Sequence, residues 1–267
     1  MIKYQHPHLS KPEKKILRKI GGSLFLETLF AIRKWKRFYF SAFKRGVRAI
    51  AERHNHLAFT GHIELSDDFK FDEKKAISRG NQLDGVAFSE SYAKDFLQLP
   101  TDIQDLVLSF KGIVENYFAC DANLNQANIW RNFHVPASIA DKEAEIFADA
   151  FHQDLVFDQY NLQLFILLQD TDEEHGPFEY LNGAITAEDM NFYRKRNRKK
   201  ARKESVKLTG KRGDFMLFTT GFTLHRAGVP KEGFHRDMFS IAFFPSYTKI
   251  GTPISELVRE RETARCK

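Results

Sequence analysis

Three side chains with the chemistry of metal ligands occur at two places in the second half of the chain. His152 and Asp154 are separated by one residue, and His225 follows much further along. Alternate residues of an extended strand project to the same side, so the first imidazole and the carboxylate can reach one point. Two imidazoles and a carboxylate can occupy one face of an octahedral metal and leave positions open for other ligands. The residues therefore predict a metal site, with structural hydrogen-bonding roles for the histidines as the alternative.

A cation follows the second histidine at a position that also has chemical meaning. Arg236 stands at the start of an apolar run that ends at Phe244. An arginine that points inward from such a strand needs a counter-anion, because burying an unpaired charge is costly. A dicarboxylate could accept a bidentate bond from the guanidinium while its other end chelates the metal. An internal Asp or Glu is the alternative partner for Arg236.

The second half of the chain is predicted to supply a β-rich core that positions these residues. Short runs that alternate apolar and polar residues, with turns between them, are typical of a sandwich or barrel. The predicted strands are 127–133, 161–168, 178–181, 206–208, 214–218 and 238–244.

The first half is predicted to be largely helical. Apolar residues recur at three- and four-residue steps between about 11 and 53 and again over 101–118, whereas residues 54–100 have a mixed pattern. We therefore expect a single domain over 1–267 of the α+β class with a mainly β core. A helical N-terminal portion (about 1–124) would pack around a core at about 125–247, with a C-terminal tail at 248–267.

Charge is unevenly distributed in this protein, which has a net charge of +6. Basic residues gather between Lys11 and Arg53 and again between Arg194 and Lys203. Such patches suit acidic partners, which include anionic small molecules and anionic lipid head groups. The second run lacks the interleaved aromatic residues of a strand-binding groove, so nucleic acid is the less favoured partner. The basic N-terminal helices would allow peripheral contact with a membrane surface.

Cysteine content and the N-terminus indicate the compartment. The two cysteines, Cys120 and Cys266, are too few for a disulfide framework or a cysteine-based zinc site. The first 15 residues contain no apolar stretch of the signal-peptide type, and no apolar run has membrane-spanning length. We therefore expect a cytoplasmic protein.

The order and spacing of these residues resemble the phytanoyl-CoA dioxygenase family over about residues 125–247. The features that match are the triplet His152-Gln153-Asp154, the later His225 and the Arg236 that follows it, with two turn segments, 176–183 and 210–218, between the histidines. The resemblance implies a double-stranded β-helix, a jelly roll of the cupin type. It also implies Fe(II) bound by His152, Asp154 and His225, and 2-oxoglutarate anchored by Arg236.

The sequence departs from the family pattern near the cosubstrate. Many members carry Ser or Thr two residues after the distal histidine, where this chain has Ala227. The Pro-Gly-Ser-His end of the central turn is replaced by the residues 181–184. The side chains expected to contact cosubstrate or substrate are Asn128, Arg131, Asn132, Gln163 and Phe165.

The activity that the resemblance implies is an oxygenase reaction with O2. A small or lipid- or sugar-linked substrate, with anionic molecules among the candidates, would be hydroxylated at a C–H bond while succinate and CO2 are released. Asp154 favours hydroxylation, because family members that halogenate replace this carboxylate with a small residue. The alternatives are a cupin-like metalloenzyme that does not use 2-oxoglutarate and a non-catalytic basic protein that binds polyanions.

Overall fold

The computed structural model describes residues 58–76, 82–83, 86–118, 120–136, 151–152, 161–181, 204–220 and 223–265. The predictions for the basic helices between 11 and 53, for Asp154 and for the basic run at 194–203 concern residues outside these ranges.

The described residues form thirteen strands and three helices. In chain order they are β1 (Ala58–His62), β2 (Gln82–Leu83), β3 (Val86–Ala87), β4 (Ser89–Lys94), α1 (Thr101–Ser109), α2 (Lys111–Phe118), β5 (Ala122–Leu124), β6 (Ala127–Phe133), β7 (Leu162–Leu167), β8 (Phe178–Leu181), β9 (Ser205–Leu208), β10 (Asp214–Thr219), β11 (His225–Arg226), β12 (His235–Pro245), β13 (Thr252–Pro253) and α3 (Ile254–Arg265). Single 3-10 turns lie at Phe96–Gln98, Glu173–His175 and Ser246–Thr248.

The described strands form a large antiparallel sheet around β12. One edge of β12 pairs with β7, which is followed by β10 and β1. Its other edge pairs with β6 at its first half and with β5 at its end, and these two strands continue to β4 and β13. A second, smaller sheet has the order β11-β8-β9. β2 and β3 form a separate two-stranded antiparallel sheet.

The large sheet is buried on both faces, and this burial fixes the direction of each side chain. On the outer face, Leu164, Ile166, Leu217, Phe239 and Ile241 pack in one core with apolar residues of α1, α2 and α3. The inner face packs on the small sheet through a second cluster: Phe165, Leu167, Phe178, Tyr180, Leu208, Met216, Phe218 and Met238. Each buried side chain of this size contributes about 1.5–3 kcal/mol. A shift of pairing by one residue would exchange the two sets, so the register is strongly specified.

The prediction of a mainly β core is confirmed by these sheets. The predicted strands 127–133 and 178–181 coincide with β6 and β8. The other four differ from β7, β9, β10 and β12 only at their ends.

The helix predicted over 101–118 is two helices. α1 ends at Ser109 and α2 begins at Lys111. The N–H of Phe110 donates to the carbonyl of Val107 at 3.2 Å, which closes the last turn of α1 more tightly than an α-helical bond would. The Phe110 ring then packs edge-on against Phe215 of the large sheet at 5.7 Å.

The division into a helical N-terminal portion and a C-terminal tail needs correction for the described residues. β1, β4 and β5 precede residue 125 and belong to the large sheet. The predicted tail contains α3, whose Ile254 and Leu257 are part of the outer core.

Within the described residues, no helix is both long enough and apolar enough to cross a membrane.

Candidate metal centre

A cavity of about 380 Å³ lies against the inner face of the large sheet. Its walls include alternate residues of four neighbouring strands, β4, β6, β7 and β12. Seven side chains that the sequence analysis selected line this one cavity: Asn128, Asn132, His152, Gln163, Phe165, His225 and Arg236. Residues far apart in the sequence thus meet because alternate positions on these strands share a face.

The two histidines lie next to each other. His152 and His225 form an isolated antiparallel bridge in which each backbone N–H donates to the other's carbonyl oxygen at 2.9 Å. The ring centroids are 4.5 Å apart, with an interplanar angle of 55°. Both imidazoles face the cavity, as a pair of ligands to one metal ion would have to do.

The hydrogen bond of His225 determines which of its ring nitrogens is an acceptor. Nδ1 lies 2.9 Å from the carbonyl oxygen of Thr223. A carbonyl oxygen can only accept, so Nδ1 carries the proton and Nε2 carries the lone pair of the neutral ring. Histidine ligands are commonly oriented in this way by a backbone carbonyl behind the ring.

Arg236 is a buried cation whose guanidinium has few hydrogen-bond partners among the described residues. Its exposed fraction is 1%. Nη1 donates to the carbonyl of Gly228 at 3.3 Å, and Nε has no partner among the described residues. Burial, and to a smaller extent the charge of Arg226, lowers the pKa of Arg236 to about 10. The guanidinium therefore stays charged at neutral pH and faces a cavity that an anion could enter.

The two buried carboxylates of the described structure, Asp237 and Glu179, already have arginine partners. Asp237, the next residue along the chain, accepts two bonds from Arg131. Glu179, whose charge acts on Arg236, accepts bonds from Arg226. An internal carboxylate as the partner of Arg236 is therefore not found within the described part of the chain.

Arg131, which the sequence analysis selected as a cofactor contact, does not line the cavity. Its Nε and Nη2 donate to the two carboxylate oxygens of Asp237 at 2.7 and 2.8 Å, and its Nη1 donates to Glu73 at 2.5 Å. The guanidinium also lies 4.6 Å from the centroid of Phe71. The reason is strand alternation: Asn128, Trp130 and Asn132 face the cavity, so Arg131 faces the other way.

Several polar and aromatic cavity residues were not selected from the sequence. Trp130 and Ser240 could have been found, because they share strand parity with Asn128 and Arg236. Ser89 and Ser91 of β4 gave no such signal, because serines on the cavity side remove the apolar alternation by which a strand is recognised.

The third predicted metal ligand, Asp154, lies outside the described residues. Within them, no three His, Cys, Asp or Glu side chains form a group that could hold a metal ion. The donors that are described nevertheless fit the predicted ligands. Two imidazoles suit a divalent transition metal, and a guanidinium nitrogen that has no partner in the described part of the chain suits a carboxylate.

Comparison with known proteins gives structural likeness only. No protein-family model and no curated protein matches the sequence. Iron-bound EctD from S. alaskensis is 12% identical, with 77% of this chain and 79% of that chain covered at a TM-score of 0.48. The carbocyclase SnoK of nogalamycin biosynthesis, described as non-heme and alpha-ketoglutarate-dependent, is 14% identical over 91% and 87% at 0.40. The non-heme monooxygenase ThoJ, as a nickel complex, is 16% identical over 53% of each chain at 0.34. Likeness at this level carries no argument about the reaction of this chain.

Proposed function

We propose that the chain is an Fe(II)- and 2-oxoglutarate-dependent oxygenase of the phytanoyl-CoA dioxygenase type. The observation that carries the proposal is Arg236, a fully buried cation whose Nε has no described partner, in the same cavity as His152 and His225. A metalloenzyme that does not use 2-oxoglutarate would leave this charge without a counter-anion among the described residues. Asp154 is the proposed third metal ligand.

The proposed fold is a double-stranded β-helix. Its support is the antiparallel sandwich of a large and a small sheet, with helices on the outer face of the large sheet. The histidine-bearing bridge lies at the edge of the small sheet, where β11 pairs with β8.

Each cavity residue has a definite task in this proposal. His152 and His225 would hold Fe(II), and Arg236 would bind the distal carboxylate of 2-oxoglutarate. The bound iron and cosubstrate supply the chemistry, in which oxidation of 2-oxoglutarate to succinate and CO2 by O2 is coupled to hydroxylation of a C–H bond. Phe165 and Phe178 line the wall beside the histidines and exclude water from it.

The cavity lining also bears on the substrate. Apart from Arg236 and the two histidines, the polar groups of the described lining are neutral: amides, hydroxyls and one indole N–H, on Ser89, Ser91, Asn128, Trp130, Asn132, Gln163 and Ser240. We propose a small molecule, or a small headgroup on a larger one, that presents hydrogen-bonding groups to this wall. An anionic substrate would depend on residues outside the described ranges, such as the basic run 194–203. The expected cytoplasmic location and membrane contact are proposals that rest on the sequence alone.

The metal assignment predicts the effect of removing Asp154. Asp154→Ala should abolish the Fe(II)-dependent conversion of 2-oxoglutarate to succinate, because two imidazoles alone hold iron weakly. Succinate formation would be measured by mass spectrometry in the absence of added substrate, where slow turnover of the cosubstrate is expected.

Asp158→Ala is the matched control, since it removes a neighbouring carboxylate that the proposal does not use. It should keep the wild-type rate. An unchanged rate in Asp154→Ala would refute the ligand assignment, and loss of activity in both variants would point to a general effect on this segment.

A further inference from the structure

A buried ion pair lies directly behind the two histidines. Arg226 Nε donates to Glu179 Oε2 at 3.0 Å, and Arg226 Nη2 donates to Oε1. Ser205 Oγ donates to the same carboxylate at 2.9 Å. The exposed fractions of the two charged side chains are only 12% and 6%. A pair buried to this extent gains little net stability, because both charges lose their water. Its geometric effect is therefore of more interest than its energy.

The pair fixes the register of the strand that carries His225. β11 has only two residues, His225 and Arg226, which lie opposite Tyr180 and Glu179 of β8. Because successive residues face opposite sides, His225 points into the cavity only while Arg226 points away from it. A two-residue strand has few backbone bonds, and a slip by one residue would turn the imidazole out of the cavity. The fork-shaped pairing of Arg226 with Glu179 opposes that slip.

The same guanidinium contacts the segment that carries the other histidine. Its central carbon lies 5.4 Å from the ring centroid of Phe151, which precedes His152 and is 4% exposed. This is a cation–π distance. Arg226 therefore connects three segments: its own strand, β8 through Glu179, and the Phe151–His152 segment through the aromatic ring.

We propose that Arg226, held by Glu179, is the positioning residue of the metal site and keeps His152 and His225 at the spacing that one metal ion needs. The proposal rests on the proposed function, since it takes the two imidazoles to be metal ligands. Arg226 acts through these histidines and does not itself touch metal or substrate.

The test is the binding of Co(II), added alone to the full-length metal-free protein. The dissociation constant and the visible d–d spectrum of the bound ion both report the spacing of its ligands. A change of protein stability alone does not alter that spacing. Arg226→Met should weaken Co(II) binding about 10- to 100-fold, the range found when groups that orient metal ligands are removed. It should also change the d–d spectrum.

A second variant covers the case in which Arg226→Met leaves Glu179 as an unpaired charge and does not fold. The double variant Glu179→Met/Arg226→Met removes both charges together, a replacement that proteins tolerate well. It should fold and still bind Co(II) weakly. The matched control is Arg131→Met, which breaks the similarly buried fork with Asp237 on the opposite face of the large sheet.

The outcomes separate this inference from the proposed function. Weak binding with a changed spectrum in both Arg226 variants, and wild-type binding in Arg131→Met, would support it. Wild-type affinity and spectrum in the Arg226 variants would overturn the positioning role of Arg226 and leave the metal site standing. Equal weakening of Co(II) binding in the Arg131 control would have the same meaning. A wild-type protein that does not bind Co(II) would overturn the metal site itself and the inference with it.

Discussion

Arg236 is the proposed anchor of the cosubstrate, and its burial also destabilises the folded protein. The side chain is 1% exposed, and among the described residues one weak bond to Gly228 replaces the water that its guanidinium would have in the unfolded chain. Its lowered pKa, about 10, has the sign expected of a destabilising burial. The folded protein binds this proton less tightly than the unfolded chain does, so the full cost applies at every pH below about 10.

This cost leads to a prediction at the level of one residue. Arg236→Met keeps an unbranched apolar stem and removes the charge, so it should raise the free energy of unfolding of the metal-free protein by on the order of 1 kcal/mol or more. The same variant should lose binding of 2-oxoglutarate. Urea denaturation at pH 7.5 measures the first effect and calorimetric titration the second.

Arg212→Met is the control for this experiment. Arg212 donates to three backbone carbonyls, of Leu65, Ser66 and Phe69, at 2.7–3.0 Å, so its removal should lower the unfolding free energy. If Arg236→Met destabilised the protein as Arg212→Met does, Arg236 would have a structural partner and the anchor assignment would lose its basis.

At the scale of elements, the loop after β11 is held by unusually close backbone packing. A Cβ built on Gly228 would lie 2.3 Å from the carbonyl oxygen of Pro177, and one on Gly176 would lie 2.3 Å from the backbone of Val229 and Pro230. Gly176 also has a φ of +61°, in the left-handed region that favours glycine. This contact fixes the Gly228 carbonyl that accepts from Arg236.

Gly228→Ala should therefore disturb both stability and the anchor. We expect a loss of about 1–3 kcal/mol in unfolding free energy, as for overpacking of a filled site, and weaker binding of 2-oxoglutarate. Gly112→Ala, on an open surface of α2, is the control and should leave the protein as stable or up to about 1 kcal/mol more stable. Equal effects of the two substitutions on cosubstrate affinity would contradict the role given to this loop.

The same scale shows which elements were open to prediction. β6 and β8 follow from their alternation and aromatic content, and both were predicted at their observed bounds. β4 was missed, because Ser89 and Ser91 face a polar cavity instead of an apolar core. The break between α1 and α2 was missed as well, since it depends on the docking of Phe110 against Phe215, a contact between distant segments.

At the scale of the whole molecule, the fold brings the predicted residues to one cavity through two features. Strand alternation puts Gln163, Phe165 and Arg236 on the inner face of the large sheet, and the bridge between His152 and His225 sets the imidazoles beside it. The sequence alone allowed prediction of the residue types and their order. Alternation along β6 already turns Arg131 away from Asn128. The pairing of Arg131 with Asp237, and that of Arg226 with Glu179 behind the histidines, could not be predicted, because both depend on the register between strands.

The proposed binding of iron and cosubstrate can be tested directly by anaerobic absorption spectroscopy of the metal-free protein during successive addition of Fe(II) and 2-oxoglutarate. We expect a visible charge-transfer band that requires both additions and that weakens in Arg236→Ala at the same cosubstrate concentration. A folded protein that shows no band with both present would contradict the assignment of an Fe(II)- and 2-oxoglutarate-dependent oxygenase. A band of unchanged strength in Arg236→Ala would contradict the anchor on which the proposal rests.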